Sequence, residues 1–214
     1  MVINSQIINL NQIFFPMISD LYGWGKSFIQ NKIKPGLYEV LDYETTLEIL
    51  DKRGKNALLT KVEEVRFLQN NIIAFQDQAW GEGKFLLDYR CNPGIPVDFY
   101  QLGHKTHVLI SLREVKNKGD VVKFNIQWGV RNGYLKRNGF WATDVNHFTK
   151  SIKVNVILPM ERPPTKLWAI EINSQRTGEL LQDTIDRLPD GKWKITWVKN
   201  HPKINEHYIL KWAW

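Results

Sequence analysis

A chain of 214 residues carrying nine tryptophans can bury roughly 70 % of the surface its unfolded form exposes, enough for a core without disulfides or metal. Its single cysteine excludes an intramolecular disulfide, and a composition this rich in large apolar side chains excludes a disordered or low-complexity chain. Lys and Arg exceed Asp and Glu by 29 to 22, a formal charge of +7; the excess favours anionic partners but is scattered along the chain, as on a solvated surface.

Residues 1–34 stand apart. Ile7, Leu10, Phe14, Met17, Leu21, Trp24 and Phe28 recur at spacings of three and four, which predicts an amphipathic helical arm. Pro16 should divide it, Gly23 and Gly25 should loosen its second half, and Pro35–Gly36 closes it. Phe14, Phe15, Met17, Leu21, Trp24 and Phe28 would either dock on the chain's own domain or enter another protein's groove. A membrane-surface role is disfavoured, because positive charge on the polar face begins only at Lys26. No basic residue precedes the first apolar stretch and no apolar run approaches a bilayer span, so the expected compartment is the cytoplasm.

From Leu37 the period changes to two. Leu37, Leu41, Tyr43, Thr45, Leu47 and Ile49 point one way, and Asp42, Glu44, Thr46 and Glu48 the other. Turn-rich breaks at 51–55 and 69–71 set off strands near 57–68 and 72–79, which together predict a three-stranded meander. HVLISLRE and VVKFNIQWGVR alternate in the same way, and NKGD at 117–120 reads as their hairpin turn. SIKVNVIL, LWAIEI, KWKITWVK and HYILKWAW follow at strand length, with a short helix expected over Thr177–Ile185 and a tight turn at LPDGK.

About eleven strands predict a mainly β fold, an antiparallel β-sandwich of immunoglobulin-like kind or an open barrel, over residues 35–214. The prolines of MERPPTK mark an internal crossover within 159–166.

The segment FQDQAWGEGKFLLDYRCNPGIPVD, residues 75–98, is the place where chemistry would be sought. Acid–base catalysis by two carboxylates would need Asp77, Asp88 and Asp98 to converge with separated pKa values. A corner between strands explains more of these residues, since glycine and proline set turn geometry, and Asp88 and Arg90 share a strand face as an expected ion pair.

Cys91 reads as a small apolar side chain. Of the five histidines only His104 and His107 are close, and on a strand they face opposite sides, so no metal is expected. GEGK leads into a strand rather than a helix, which argues against a phosphate loop, and no serine sits in a strand-to-helix elbow.

In the C-terminal run, Trp193, Ile195 and Trp197 share one face and Tyr208, Leu210, Trp212 and Trp214 another, as core aromatics do. Arg131, Lys136 and Arg137 around GYLKRNG form the patch on which a nucleic-acid partner would act. The sequence therefore points to a non-catalytic protein-binding or adaptor module needing no cofactor. Nucleic-acid binding is the first alternative, and an enzyme built on residues 77–98 is the second.

Overall fold

The computed structural model describes residues 36–180 and 184–214. The arm expected over residues 1–34, with its six apolar binding candidates, lies outside them. The chain divides into two units, Met1–Pro35 and Gly36–Trp214, and every described residue belongs to the second.

The fold is mainly β. Fourteen strands run in order through the described residues: β1 (Tyr38–Ile49), β2 (Asn56–Phe67), β3 (Ile72–Ala79), β4 (Lys84–Asn92), β5 (Ile95–Leu102), β6 (Lys105–Lys116), β7 (Val121–Arg131), β8 (Asn138–Asp144), β9 (Ser151–Leu158), β10 (Lys166–Glu171), β11 (Arg176–Glu179), β12 (Ile185–Arg187), β13 (Trp193–Asn200) and β14 (His207–Ala213). They form a seven-stranded sheet in the order β12-β13-β9-β1-β2-β7-β4, a four-stranded sheet β11-β10-β14-β8 and a three-stranded sheet β3-β6-β5. Pairing is antiparallel except between β1 and β9, which run parallel from Tyr43 opposite Ile152 to Glu48 opposite Ile157.

Period-two alternation builds the core. Val122, Phe124, Ile126, Trp128 and Val130 of β7 are all buried, as are Ile152, Val154, Val156 and Leu158 of β9. Each such side chain contributes about 1.5–3 kcal/mol by leaving water. Phe75 of β3 stacks on Phe124, centroids 4.2 Å apart, joining the three-stranded sheet to the seven-stranded one. Trp197 of β13 meets Tyr208 of β14 at 6.0 Å and joins the seven-stranded sheet to the four-stranded one. Gly139 lets Trp212 approach: a Cβ there would lie 2.4 Å from the indole ring.

Several local expectations are corrected. A bulge between Val40 and Asp42 shifts the phase of β1, so Val40 is buried and Leu37 exposed, while Thr45, Leu47 and Ile49 point inward as their spacing requires. NKGD does form a turn, with Asp120 N–H donating to Asn117 O at 3.0 Å, but β6 and β7 enter different sheets and make no hairpin. For the same reason β3 is not the third strand of a meander: it leaves β1 and β2 for the three-stranded sheet. The expected helix over 177–185 begins instead as β11, whose Thr177 and Glu179 pair with Ile170 and Trp168. Sheet pairing outweighs the weak helical propensity of that segment. MERPPTK carries the chain from β9 in the seven-stranded sheet to β10 in the four-stranded one.

Candidate functional site

The segment 75–98 proves to be a crossing point between sheets. β3 belongs to the three-stranded sheet, β4 to the seven-stranded and β5 to the three-stranded again, so both of its turns change sheet. Asp77 is 2 % exposed and points into the core, whereas Asp88 and Asp98 are exposed. The structure does not bring the three together. Asp88 and Arg90 form no ion pair among the described residues, because β4 slips register between Leu87 and Arg90 and Asp88 takes a φ of 52°.

Asp77 belongs to a buried charge cluster. On β2, Ala57, Leu59, Val65 and Phe67 face the core, and Lys61 and Glu63 fall in phase with them, both buried. Lys61 Nζ pairs with Asp77 Oδ1 and lies 3.1 Å from Glu63 Oε2. Asp77 also accepts from the Gln78 N–H at 2.8 Å and from the Tyr89 hydroxyl at 2.8 Å. The Lys61 ammonium lies 5.7 Å from the centroid of the Tyr43 ring.

Burial would lower Lys61, but Asp77 and Glu63 outweigh it and hold the ammonium well above its ordinary range. Burial pushes Glu63 upward and Asp77 adds to this, against the pull of Lys61. That direction brings one ammonium facing two carboxyls closer to neutrality. Burial likewise pushes Tyr43 up to about 12. The cluster is almost wholly buried, and groups so withdrawn from solvent are poorly placed to exchange protons with a substrate.

Tyr89 connects this cluster to the surface. Its ring stacks on Trp128 at 5.9 Å and meets Phe99 of β5 edge-on at 5.7 Å. β5 is the outer strand of its sheet. It exposes Val97 (57 %), Phe99 (48 %) and Leu102 (68 %), together with Ile95 and Tyr100. The first half of this edge carries the features that discourage strand addition: Pro96, a register break between Pro96 and Asp98, and an Asp98 carboxylate accepting the Phe99 N–H at 2.8 Å. Tyr100–Leu102 carries none of them, and Phe99–Leu102 pairs regularly with Lys105–Val108.

A second polar cluster sits where β6, β8 and β14 meet. The His207 Nδ1–H donates to Asp144 Oδ1 at 2.5 Å, Lys105 pairs with Asp144 Oδ2, and Lys105 lies 4.6 Å over the Trp80 ring. Burial would raise Asp144, but hydrogen bonds from His207 and Lys105 outweigh it and hold the carboxyl below its usual range. An aspartate fixing one ring nitrogen is how a general-base imidazole is oriented. Among the described residues no serine or cysteine hydrogen-bonds to His207.

Cys91 Sγ donates to Pro93 O at 3.2 Å, and burial pushes its thiol up to about 12, the opposite of nucleophile activation. No three His, Cys, Asp or Glu side chains are arranged to hold a metal among the described residues. No described helix is long and apolar enough to cross a membrane. Of the basic patch, Arg131 and Arg137 are exposed, while Lys136 is paired with Glu82 at 2.6 Å.

The buried Lys61 and Glu63 were readable as charges in phase with the core positions of β2. The exposed edge was readable in IPVDFYQL, where a proline and apolar residues at both parities mark an outer strand.

No family model matches the chain, and no curated protein matches it. Among solved structures it is similar to an M1 zinc metallopeptidase mutant from Deinococcus radiodurans bound to a Tyr-Ser-Ala substrate. The TM-score is 0.50 at 11 % identity, over 81 % of this chain and 42 % of that one. A second structure of M1 zinc metallopeptidase from Deinococcus radiodurans matches with a TM-score of 0.47 at 11 % identity, over the same shares of both chains. The chain thus spans less than half the length of these neighbours, and the likeness is one of fold.

Proposed function

We propose that this protein is a non-catalytic protein-binding module: strands packed face to face form the scaffold, and the outer strand β5 receives an extended, apolar segment of a partner. The observation that carries this reading is the exposure of Val97, Phe99 and Leu102 on a strand whose outer edge is unpaired among the described residues, with Phe99 and Leu102 on opposite faces of the sheet. A partner strand laid along Tyr100–Leu102 would gain main-chain hydrogen bonds from the edge, and its side chains would bury Phe99 on one face of the sheet and Leu102 on the other. The adaptor reading extends to residues 1–34, whose apolar stripe from Phe14 to Phe28 would supply a second contact.

Supporting this reading over an enzyme, Asp77 is sealed in the core while Asp88 and Asp98 face solvent apart from it. The fold neighbours are consistent with a module that works beside other protein, since the matched fold occupies only 42 % of the peptidase chain bound to Tyr-Ser-Ala.

The test is affinity capture with the full chain, Val97→Lys and Leu102→Lys. Partners retained by the full chain and lost from both variants, with unchanged unfolding midpoints, support the edge. Capture that survives both substitutions overturns it.

A further inference from the structure

The two sheets joined by Trp197 and Tyr208 leave a groove of about 570 Å³ between β13 and the β10–β11 hairpin, whose lining includes Glu171, Arg176, Gly178, Trp197 and Lys199. A volume of this order is in the range of small-ligand sites. The groove is independent of the β5 edge, which belongs to another sheet.

We propose that this groove binds a small ligand carrying an anionic group, carboxylate or phosphate, on an apolar body. The charges argue for an anion. Glu171 is the one carboxylate in the lining, and its Oε1 is already engaged by Lys199 Nζ. Arg176 is exposed and has no side-chain partner among the described residues, so the lining carries an uncompensated guanidinium. A guanidinium presents paired donors that match the oxygens of a carboxylate or phosphate.

Lys203 Nζ lies 3.1 Å from Ser174 Oγ in the turn that leads into β11, but the same hydroxyl donates to Glu206, so the charge excess of the groove rests on Arg176. Trp197 supplies the apolar wall. At Gly178 an added Cβ would meet nothing within 4 Å, so the hairpin side is open. Lys199 is held in place from both sides, by Glu171 and by the Tyr208 ring 5.6 Å from its ammonium, which pre-organises the cation instead of leaving it to be ordered on binding.

The experiment titrates the full chain with phenyl phosphate, benzoate, neutral benzamide and cationic benzylamine, followed by ¹⁵N–¹H correlation spectra and calorimetry. Saturable shifts at Arg176, Gly178 and the Trp197 indole with either anion are the expected result. Arg176→Gln should weaken binding about tenfold, and raised salt should weaken it further. Arg176 is exposed, so this variant should keep the parent spectrum elsewhere. Lys199→Gln serves as a second variant. A response to phenyl phosphate alone identifies a phosphate site, and one to benzoate alone a carboxylate site. Equal binding of benzamide or benzylamine, anion affinity unchanged in Arg176→Gln, or no saturable shift at millimolar anion would overturn the proposal.

Discussion

The Tyr89 hydroxyl donates a 2.8 Å hydrogen bond to Asp77 while the face of the same ring covers Trp128, its edge-to-face contact reaching Phe99 on the outer strand. One side chain thereby ties a buried ion pair to an exposed apolar edge. Tyr89→Phe keeps the ring and removes the donor, leaving an oxygen of Asp77 short of a partner. The expected loss is about 1–3 kcal/mol in a urea titration, and an unchanged midpoint would show that Asp77 does not depend on Tyr89.

Lys61 is the only ammonium at Asp77 and Glu63 among the described ion pairs. Lys61→Met leaves two carboxyl groups buried without their cation and should cost about 3–5 kcal/mol. The triple change Lys61→Met, Glu63→Leu, Asp77→Leu removes the desolvation penalty with the charges and should be far less destabilising than the single one. Equal losses in both proteins would mean that packing, and not charge, sets the cost.

His147 is half-buried against Tyr38, ring centroids 4.2 Å apart, with its buried Nδ1 lacking a partner among the described residues. Burial lowers its pKa below the ordinary value of 6.5. A depressed folded value means that the unfolded chain binds the proton first. The contribution is therefore present above pH 6.5 and lost as pH falls through the folded value. His147→Phe keeps a ring on Tyr38 and cannot titrate, so the stability difference between variant and parent should move in favour of the variant on acidification below about pH 6.5. A difference independent of pH would refute this.

Asp144 acts in a lower window. With its carboxyl held below 3.8 by His207 and Lys105, its contribution is complete above that value and disappears as pH falls through the folded one. Asp144→Asn should therefore flatten the acid limb of an unfolding curve. It should also free His207, which a ¹⁵N spectrum of the imidazole would register as a changed tautomer balance.

Gly139→Ala would place a methyl group 2.4 Å from the indole of Trp212, which is fully buried. Either the ring or β8 must shift, at an expected cost of about 1–3 kcal/mol. Thermal unfolding of the variant measures it, and an unchanged Tm would mean that the strand relaxes freely.

What the sequence determined by itself was local. Alternation along β7 and β13 fixed which side chains turn inward, because strand side chains alternate by backbone geometry alone; β9 and β14 follow it except at Asn155 and Ile209, which are buried on the other face. The turns at 51–55 and 188–192 were likewise legible from Asp51, Gly54, Asp190 and Gly191, whose hydrogen bonds and positive φ values form within a few residues.

Tertiary structure decided which strands pair and what the inward faces meet. NKGD looks the same whether its flanking strands pair or part, and only the competing partners β2, β4, β3 and β5 separate them. Lys61 and Glu63 fall in phase with the core positions of β2, but the second carboxylate that holds Lys61, Asp77, comes from another sheet, and no pattern along β2 announces it. The Arg176 groove was hidden for the same reason: its walls come from β10, β11 and β13, and a helical reading of residues 177–185 removes one of them. Pattern along a chain reports each strand's two faces. The charges that are compensated, and the edges left open, depend on contacts between residues far apart in sequence.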